Sequence, residues 1–279
     1  MEIIDAHHHL WDRGRFSYRW LSQVPAIDRD YILKDYQEVI SGTGVGQSIH
    51  VQAEVDPLYG IQETRWVLSM ADAGGPIAGV VGWAPIEEPG LPEFLEKLGT
   101  HPRLKGIRRL IQSEKDVRFC ARPEFVAGVR RLAPLNLSFD LCIYHPQLGA
   151  AIELVRQVPE VNFVLDHIGK PGIKDRLLEP WKTQLRELAY LPNVWCKVSG
   201  VATEAEWAAW TPADQRPYLD HVIDCFGFSR LMWGSDWPVC TLAVEYRRWL
   251  ETVQEVVRGA SQAEREQLFR GTAATFYRL

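Results

Sequence analysis

Short apolar runs rich in β-branched residues recur along the chain, at 2–6, 47–53, 77–84, 104–109, 139–144, 161–166, 194–198 and 231–235. Most of the gaps between them hold segments whose apolar positions return every three or four residues, the helical period. These helical segments fall at 59–73, 123–133, 148–158, 178–191, 212–226 and 242–257. Strand alternating with helix predicts parallel strands joined by right-handed crossovers. The spacing is about 35 residues per strand and helix, the size of one such unit. Eight units predict an α/β fold, a closed (β/α)8 TIM barrel. A last amphipathic stretch at 261–277 adds a C-terminal helix. The competing arrangement, an open doubly wound sheet, carries a glycine-rich phosphate turn after its first strand. Here the first strand runs into His7, His8 and His9 instead. No internal repeat, low-complexity tract or linker divides the chain, so residues 1–279 read as one domain.

Composition narrows the function without naming it. The chain has 279 residues, 46% hydrophobic and 24% charged, which suits a single barrel with a large core. Its net charge of −5, with no basic block, argues against nucleic acid or an anionic membrane as partner. The longest apolar stretch, 77–85, is too short to span a bilayer. No secretory signal is read before Asp5. The five cysteines are scattered and form no CxxC, which speaks against a disulfide framework and a structural zinc site. A cytoplasmic protein is expected on that ground.

In a barrel of this kind, function sits where the strands end. Strand 1 ends in the three histidines, strand 4 in Arg108 and Arg109, and strand 5 in His145. Strand 6 ends in Asp166 and His167 followed by Lys170, strand 7 carries Lys197 and Ser199, and strand 8 ends in Asp236. Side chains alternate along a strand, so His7 and His9 share a face, with Cα atoms roughly 6.6 Å apart. Two imidazoles so spaced can converge on one ion, or simply satisfy local hydrogen bonds. Each remaining residue has a plain structural reading too. His145 and His167 could be core histidines, and Asp236 could cap a helix. Lys197, inside a strand, must either pair with a carboxylate or face a wet cavity. Arg108 and Arg109 alternate, so at most one faces the mouth. His50, His101 and His221 read as structural, His8 as incidental, Cys142 and Cys196 as small buried apolar groups, and Glu87 and Glu88 as solvated.

Taken together, the H-x-H of strand 1, the histidines after strands 5 and 6 and the aspartate after strand 8 resemble the amidohydrolase superfamily. The segments "IDAHHHLWD", "YRWL", "VVGWAPI", "LKGIRRLIQ", "VLDHIGKP", "CKVSG" and "GSDWPV" are similar to its lactonase branch, with L-fuconolactonase and L-rhamnonolactonase-like members. The resemblance implies a hydrolase that opens a small sugar-derived lactone. His7, His9, His167 and Asp236 would hold one divalent metal ion, zinc by preference, although some relatives work without any. Asp236 would act as general base, with His145 and His167 polarising the carbonyl. Arg108 or Arg109, with Lys197, would hold substrate hydroxyls, and Trp11, Trp20 and Trp237 would wall the ring. With eleven tryptophans in the chain, core packing is the rival reading for those three. One departure stands out: members with two metals carry a bridging lysine near the end of strand 4, where this chain has Arg108 and Arg109, with Lys105 earlier. Alternatives are a pyrone-dicarboxylate or muconolactone-type substrate, a metal-dependent decarboxylase of the same superfamily, or a non-catalytic barrel that binds sugar acids. Homo-oligomerisation stays open.

Overall fold

The computed structural model describes residues 2–279. Eight parallel strands lie side by side in chain order: β1 (Ile3–His8), β2 (Val45–Val51), β3 (Ile77–Gly82), β4 (Leu104–Arg108), β5 (Ser138–Leu141), β6 (Phe163–Leu165), β7 (Val194–Val198) and β8 (Leu231–Trp233). A bridge between His8 and Trp237 joins the last strand's exit to the first strand, with His9 N donating to Trp237 O at 2.7 Å. The expected (β/α)8 barrel is therefore what forms. Its helices are α1 (Leu33–Ile40), α2 (Gly60–Asp72), α3 (Leu91–Leu98), α4 (Pro123–Arg130), α5 (Leu148–Gln157), α6 (Trp181–Ala189), α7 (Pro212–Phe226) and α8 (Tyr246–Val256). Strands β5, β6 and β8 end earlier than their apolar runs do. His167 and Asp236 adopt left-handed backbone, with φ of 54° and 59°, which no extended ladder accommodates. The sheet stops there and the candidate site residues stand on the rim.

The core has two parts. Between strands and helices lie large fully buried rings, among them Phe125, Phe139, Phe163, Trp181, Trp233 and Trp249. Inside the barrel, Ile4, Ala6, Ile49, Val51, Val81, Val164 and Met232 pack against Phe276 and Tyr277. Those two aromatics belong to a C-terminal helix, Thr272–Tyr277, which plugs the barrel floor. The lower interior is thus apolar and sealed, leaving the upper interior for polar groups. Among the described residues no helix is long and apolar enough to cross a membrane.

One irregularity sets up the site. Asp5 pairs with Ser48, yet His8 pairs with His50, so three steps along β1 oppose two along β2. This bulge breaks the alternation between Ala6 and His7. Ile4 and Ala6 face the apolar interior, and so, beyond the bulge, do His7 and His9. His8 turns outward and stacks on Tyr36 of α1 at 3.9 Å.

Candidate active site

His7, His9, His167 and Asp236 converge at the top of the barrel. His7 Nε2 and His9 Nε2 lie 3.2 Å apart. Asp236 Oδ1 stands 3.3 Å from His9 Nε2, 3.7 Å from His7 Nε2 and 3.9 Å from His167 Nε2. The second nitrogens fix the rings. His9 Nδ1 donates to Val51 O at 2.7 Å, which leaves Nε2 as a bare lone pair. His7 Nδ1 faces both Asp166 Oδ1 and Lys197 Nζ at 3.3 Å. His167 Nδ1 bonds Ser199 Oγ at 2.9 Å.

The lone pair of His9 Nε2 stands 3.2 Å from His7 Nε2 with an oxygen of Asp236 beside it, a set of nitrogen and carboxylate donors that suits a divalent cation. Two nitrogens bound at 2.0–2.1 Å to one tetrahedral ion stand about 3.3 Å apart, so the spacing fits. His7, His9 and Asp236 form a cluster able to hold a metal ion, and His7, Asp166 and His167 form another that shares His7. A second ion finds no room on the β4 side, because Arg108 Nη1 lies 3.4 Å from His7 Nε2.

Beneath this centre is a buried layer of charge. Lys197 Nζ touches Asp140 Oδ2 at 2.5 Å, Asp166 Oδ1 at 3.0 Å and His7 Nδ1 at 3.3 Å. Arg108 Nη1 reaches Asp166 Oδ2 at 3.2 Å. Two fixed cations, Lys197 and Arg108, thus face Asp140 and Asp166, and burial, with Asp166 beside it, pushes the Asp140 carboxyl up to about 7 in spite of Lys197. Burial opposes the charge on Asp236, yet the imidazoles of His167, His9 and His7 hold it well below the usual carboxylate range. Burial also opposes the charge on Asp166, but Lys197, His7 and Arg108 outweigh it, and that group too lies well below its ordinary value. For Lys197, Asp140 and Asp166 overcome burial and hold the ammonium above its usual value. Burial keeps the imidazoles of His7 and His9 below their ordinary value and brings His167 to about 4.

The pocket above the centre measures 170 Å³, and its walls include His9, Trp20, Arg108, His167, Lys170 and Asp236. Other expected site residues lie elsewhere. Trp11 is fully buried, donating to Arg29 O at 2.6 Å and packing edge-on against Trp20. Trp237 is core, wedged against Tyr31 and Tyr36. Neither can wall a ligand. Arg109 points away from the pocket to Glu87 and Glu114, at 2.6 and 2.7 Å, so Glu87 is paired rather than solvated. Lys197 is wholly enclosed and cannot touch a substrate hydroxyl. His145 is half-buried and lines a neighbouring groove, outside the cluster of imidazoles. The alternation argument for Arg108 against Arg109 resolves in favour of Arg108.

Sequence reasoning missed Asp5 and Asp140 and gave Asp166 no role. Asp5 Oδ1 accepts from His7 N at 3.1 Å and Ser235 N at 2.8 Å, while Oδ2 accepts from the hydroxyls of Tyr36 and Tyr246, both at 3.0 Å. A carboxylate inside an apolar run was the available signal in "IIDAH", "SFDL" and "FVLD". Gln112 and Glu54 also line the pocket and come from loops, where no period marks them, beside Lys170, which the sequence had placed on the rim after strand 6.

Comparison with known proteins gives the family. A family model described as amidohydrolase matches residues 4–279. An L-fucono-1,5-lactonase of Burkholderia multivorans is 37% identical over 99% of this chain and 96% of its own length. A second protein of that name, from Burkholderia ambifaria, is 34% identical over 99% of this chain and 95% of its own length. The crystal structure of an amidohydrolase from Burkholderia multivorans with bound zinc superposes with a TM-score of 0.91, at 36% identity and full coverage of both chains. With the barrel, the H-x-H pair and the strand-8 aspartate all in place, the chain belongs to the amidohydrolase family.

Proposed function

We propose that this protein hydrolyses the ring ester of a small sugar-derived lactone to the free acid. One observation carries the reading: an ionised carboxylate, Asp236, stands within 3.3–3.9 Å of three imidazole nitrogens at the base of a pocket of 170 Å³. Such a pocket has room for a single small ring, and Trp20 offers that ring's C–H face an aromatic wall. The two relatives named L-fucono-1,5-lactonase point to the same substrate class.

In this mechanism Asp236 holds a water molecule, takes its proton as the oxygen attacks the lactone carbonyl, and returns that proton to the departing ring oxygen. His167 and the Arg108 guanidinium lie where negative charge builds on the carbonyl oxygen, and both can meet it with N–H groups. Arg108 is positioned for this by Asp166 and by Gln52 O, to which Nη2 donates at 2.5 Å. A divalent ion held by His7, His9 and Asp236, zinc in the first instance, would supply Lewis acidity. Lys170, bonded to Gln112 Oε1 at 2.6 Å, offers a cation to ring hydroxyls and to the nascent carboxylate.

The test is a hydrolysis screen over 1,5- and 1,4-aldonolactones, with L-fucono-1,5-lactone included, scored by acid release. It is run with and without chelator beside elemental analysis. Turnover of at least one sugar lactone is expected, with Asp236→Asn lowering kcat/KM by about 10²–10⁴-fold. Full turnover in that variant removes the base. Release of CO₂ from aromatic acids with no lactone hydrolysis would favour the decarboxylase reading instead.

A further inference from the structure

Beside the catalytic pocket runs a second, larger hollow of 870 Å³. Its walls come from three rim loops: Tyr144 and His145 after β5, Lys170 to Asp175 after β6, and Thr203 to Ala208 after β7. Lys170 belongs to both spaces. Its ammonium bonds Gln112 in the catalytic pocket and lies 5.1 Å from the centre of the Tyr144 ring in the groove. The two spaces are therefore neighbours with one side chain as partition.

The groove is built to present aromatic faces. Tyr144 and Trp207 are 43% and 47% exposed, unlike the tryptophans packed in the core. Trp207 is held in place as well, for its indole N–H donates to Thr203 O at 2.8 Å. The loops that carry these walls are tied together by Lys174, which pairs with Glu206 at 2.9 Å while its backbone N–H donates to Glu204 O at 3.0 Å. Charge is mixed: Lys170 and Lys174 against Asp175, Glu204 and Glu206. Burial keeps the His145 imidazole below its ordinary value, so it adds little positive charge. A phosphate or carboxylate would find no net attraction there. Two exposed aromatic faces, that of Trp207 pinned, ringed by hydrogen-bonding groups of both signs suit a neutral polyhydroxylated ring, whose C–H face stacks while its hydroxyls bond the rim.

We infer that this groove is a subsite for a second sugar attached to the lactone ring, so that lactones of oxidised disaccharides are taken alongside lactones of single sugars. The inference rests on the lactonase reading for the ring bound in the inner pocket. The inner space holds one ring, and the groove across Lys170 holds the next.

Matched probes test it: D-glucono-1,5-lactone against cellobiono-1,5-lactone, which carries the same lactone ring with one further glucosyl unit. Each is measured as a substrate and as a competitor of L-fucono-1,5-lactone, and the stable acids gluconate and cellobionate are titrated calorimetrically. The glucosylated member of each pair is expected to be favoured by about tenfold, in kcat/KM, inhibition constant or Kd. Trp207→Ala should bring that ratio to about one and leave L-fucono-1,5-lactone turnover unchanged, while Trp207→Phe keeps most of the preference. A wild-type ratio near one, or a ratio that survives Trp207→Ala, overturns the subsite. Failure of the lactonase reading looks different: no lactone turns over, while the calorimetric ratio still reports on the groove.

Discussion

The backbone N–H of Asp236 donates to the carbonyl oxygen of His7 at 2.8 Å, so the first and last strands hold each other's functional residues. The proposed metal ligand His7 and the proposed base Asp236, from opposite ends of the chain, are registered through the main chain. Asp5 makes that registration rigid, because one carboxylate oxygen takes the N–H of His7 and of Ser235, the residue before Asp236.

Asp5→Asn tests this clamp. The amide retains one acceptor but turns an NH2 towards the hydroxyls of Tyr36 and Tyr246, both of which need an acceptor. A loss of about 1–3 kcal/mol is expected for the mismatched buried groups. Thermal unfolding reads it as a lower Tm. Turnover should fall as well, since His7 and Asp236 lose their common anchor. A variant with native Tm and native kcat would show that the main-chain bond suffices alone.

Burial holds the site imidazoles below their ordinary value of 6.5, His167 at about 4. In the metal-free protein, the His167 ring resonances should therefore stay in place as pH falls from about 8 to about 5.5, and those of His7 and His9 should shift only below about 6.5. The sign for stability follows. The unfolded chain binds these protons more readily, so the native state loses stability as pH drops below about 6.5 towards 4. Histidine ring signals followed by NMR would decide it, and a site imidazole with a midpoint near 6.5 would contradict the buried environment described above.

Much of the barrel was legible because its signal is repetitive. Eight apolar runs separated by helical periods leave few other topologies. The H-x-H pair was legible through strand alternation, which correctly opposed His8 to His7 and His9. The bulge before His7 was not, because inserting one residue leaves no mark in an already apolar run. Trp11 and Trp237 show the limit of proximity along the chain. Both neighbour rim residues in sequence, but a large ring next to a functional polar group is as useful for fixing it as for touching substrate. Lys197 was left between two options, a carboxylate partner or a wet cavity; the pairing one holds, against its expected contact with substrate hydroxyls. Its partner Asp140 looks in the sequence like an isolated polar interruption of β5, since two charges on strands 57 residues apart cannot be paired by pattern.

Lys197 gives a prediction in which the sign depends on its partner. Lys197→Met leaves Asp140 and Asp166 buried beside each other without their shared cation, and should destabilise by about 3–5 kcal/mol. Adding Asp140→Asn removes one of the two charges, so the double variant should regain part of that loss. Denaturant unfolding of the four members of the cycle measures the coupling. Additive effects would mean that the ion pair at 2.5 Å contributes nothing beyond its separate side chains.

Glu63 on α2 supplies a pH effect outside the catalytic cluster. Its side chain is fully buried near Tyr18, with Oε1 accepting from Ala53 N at 3.4 Å, and burial pushes its carboxyl up to about 8. The folded protein therefore holds this proton more tightly than the unfolded chain, in which a glutamate titrates at about 4.5. The associated stability is complete below about 4.5 and drains away as pH rises to about 8, with a slope of up to about 1.4 kcal/mol per pH unit. Glu63→Gln cannot titrate, so its stability should lack this slope, and above pH of about 8 the variant should match or exceed the parent. Unfolding in urea at a series of pH values between about 5 and 9 separates the outcomes. Parallel curves for the two proteins would place the Glu63 proton on the solvent's terms and show that the wall behind Ala53 is wetter than its burial indicates.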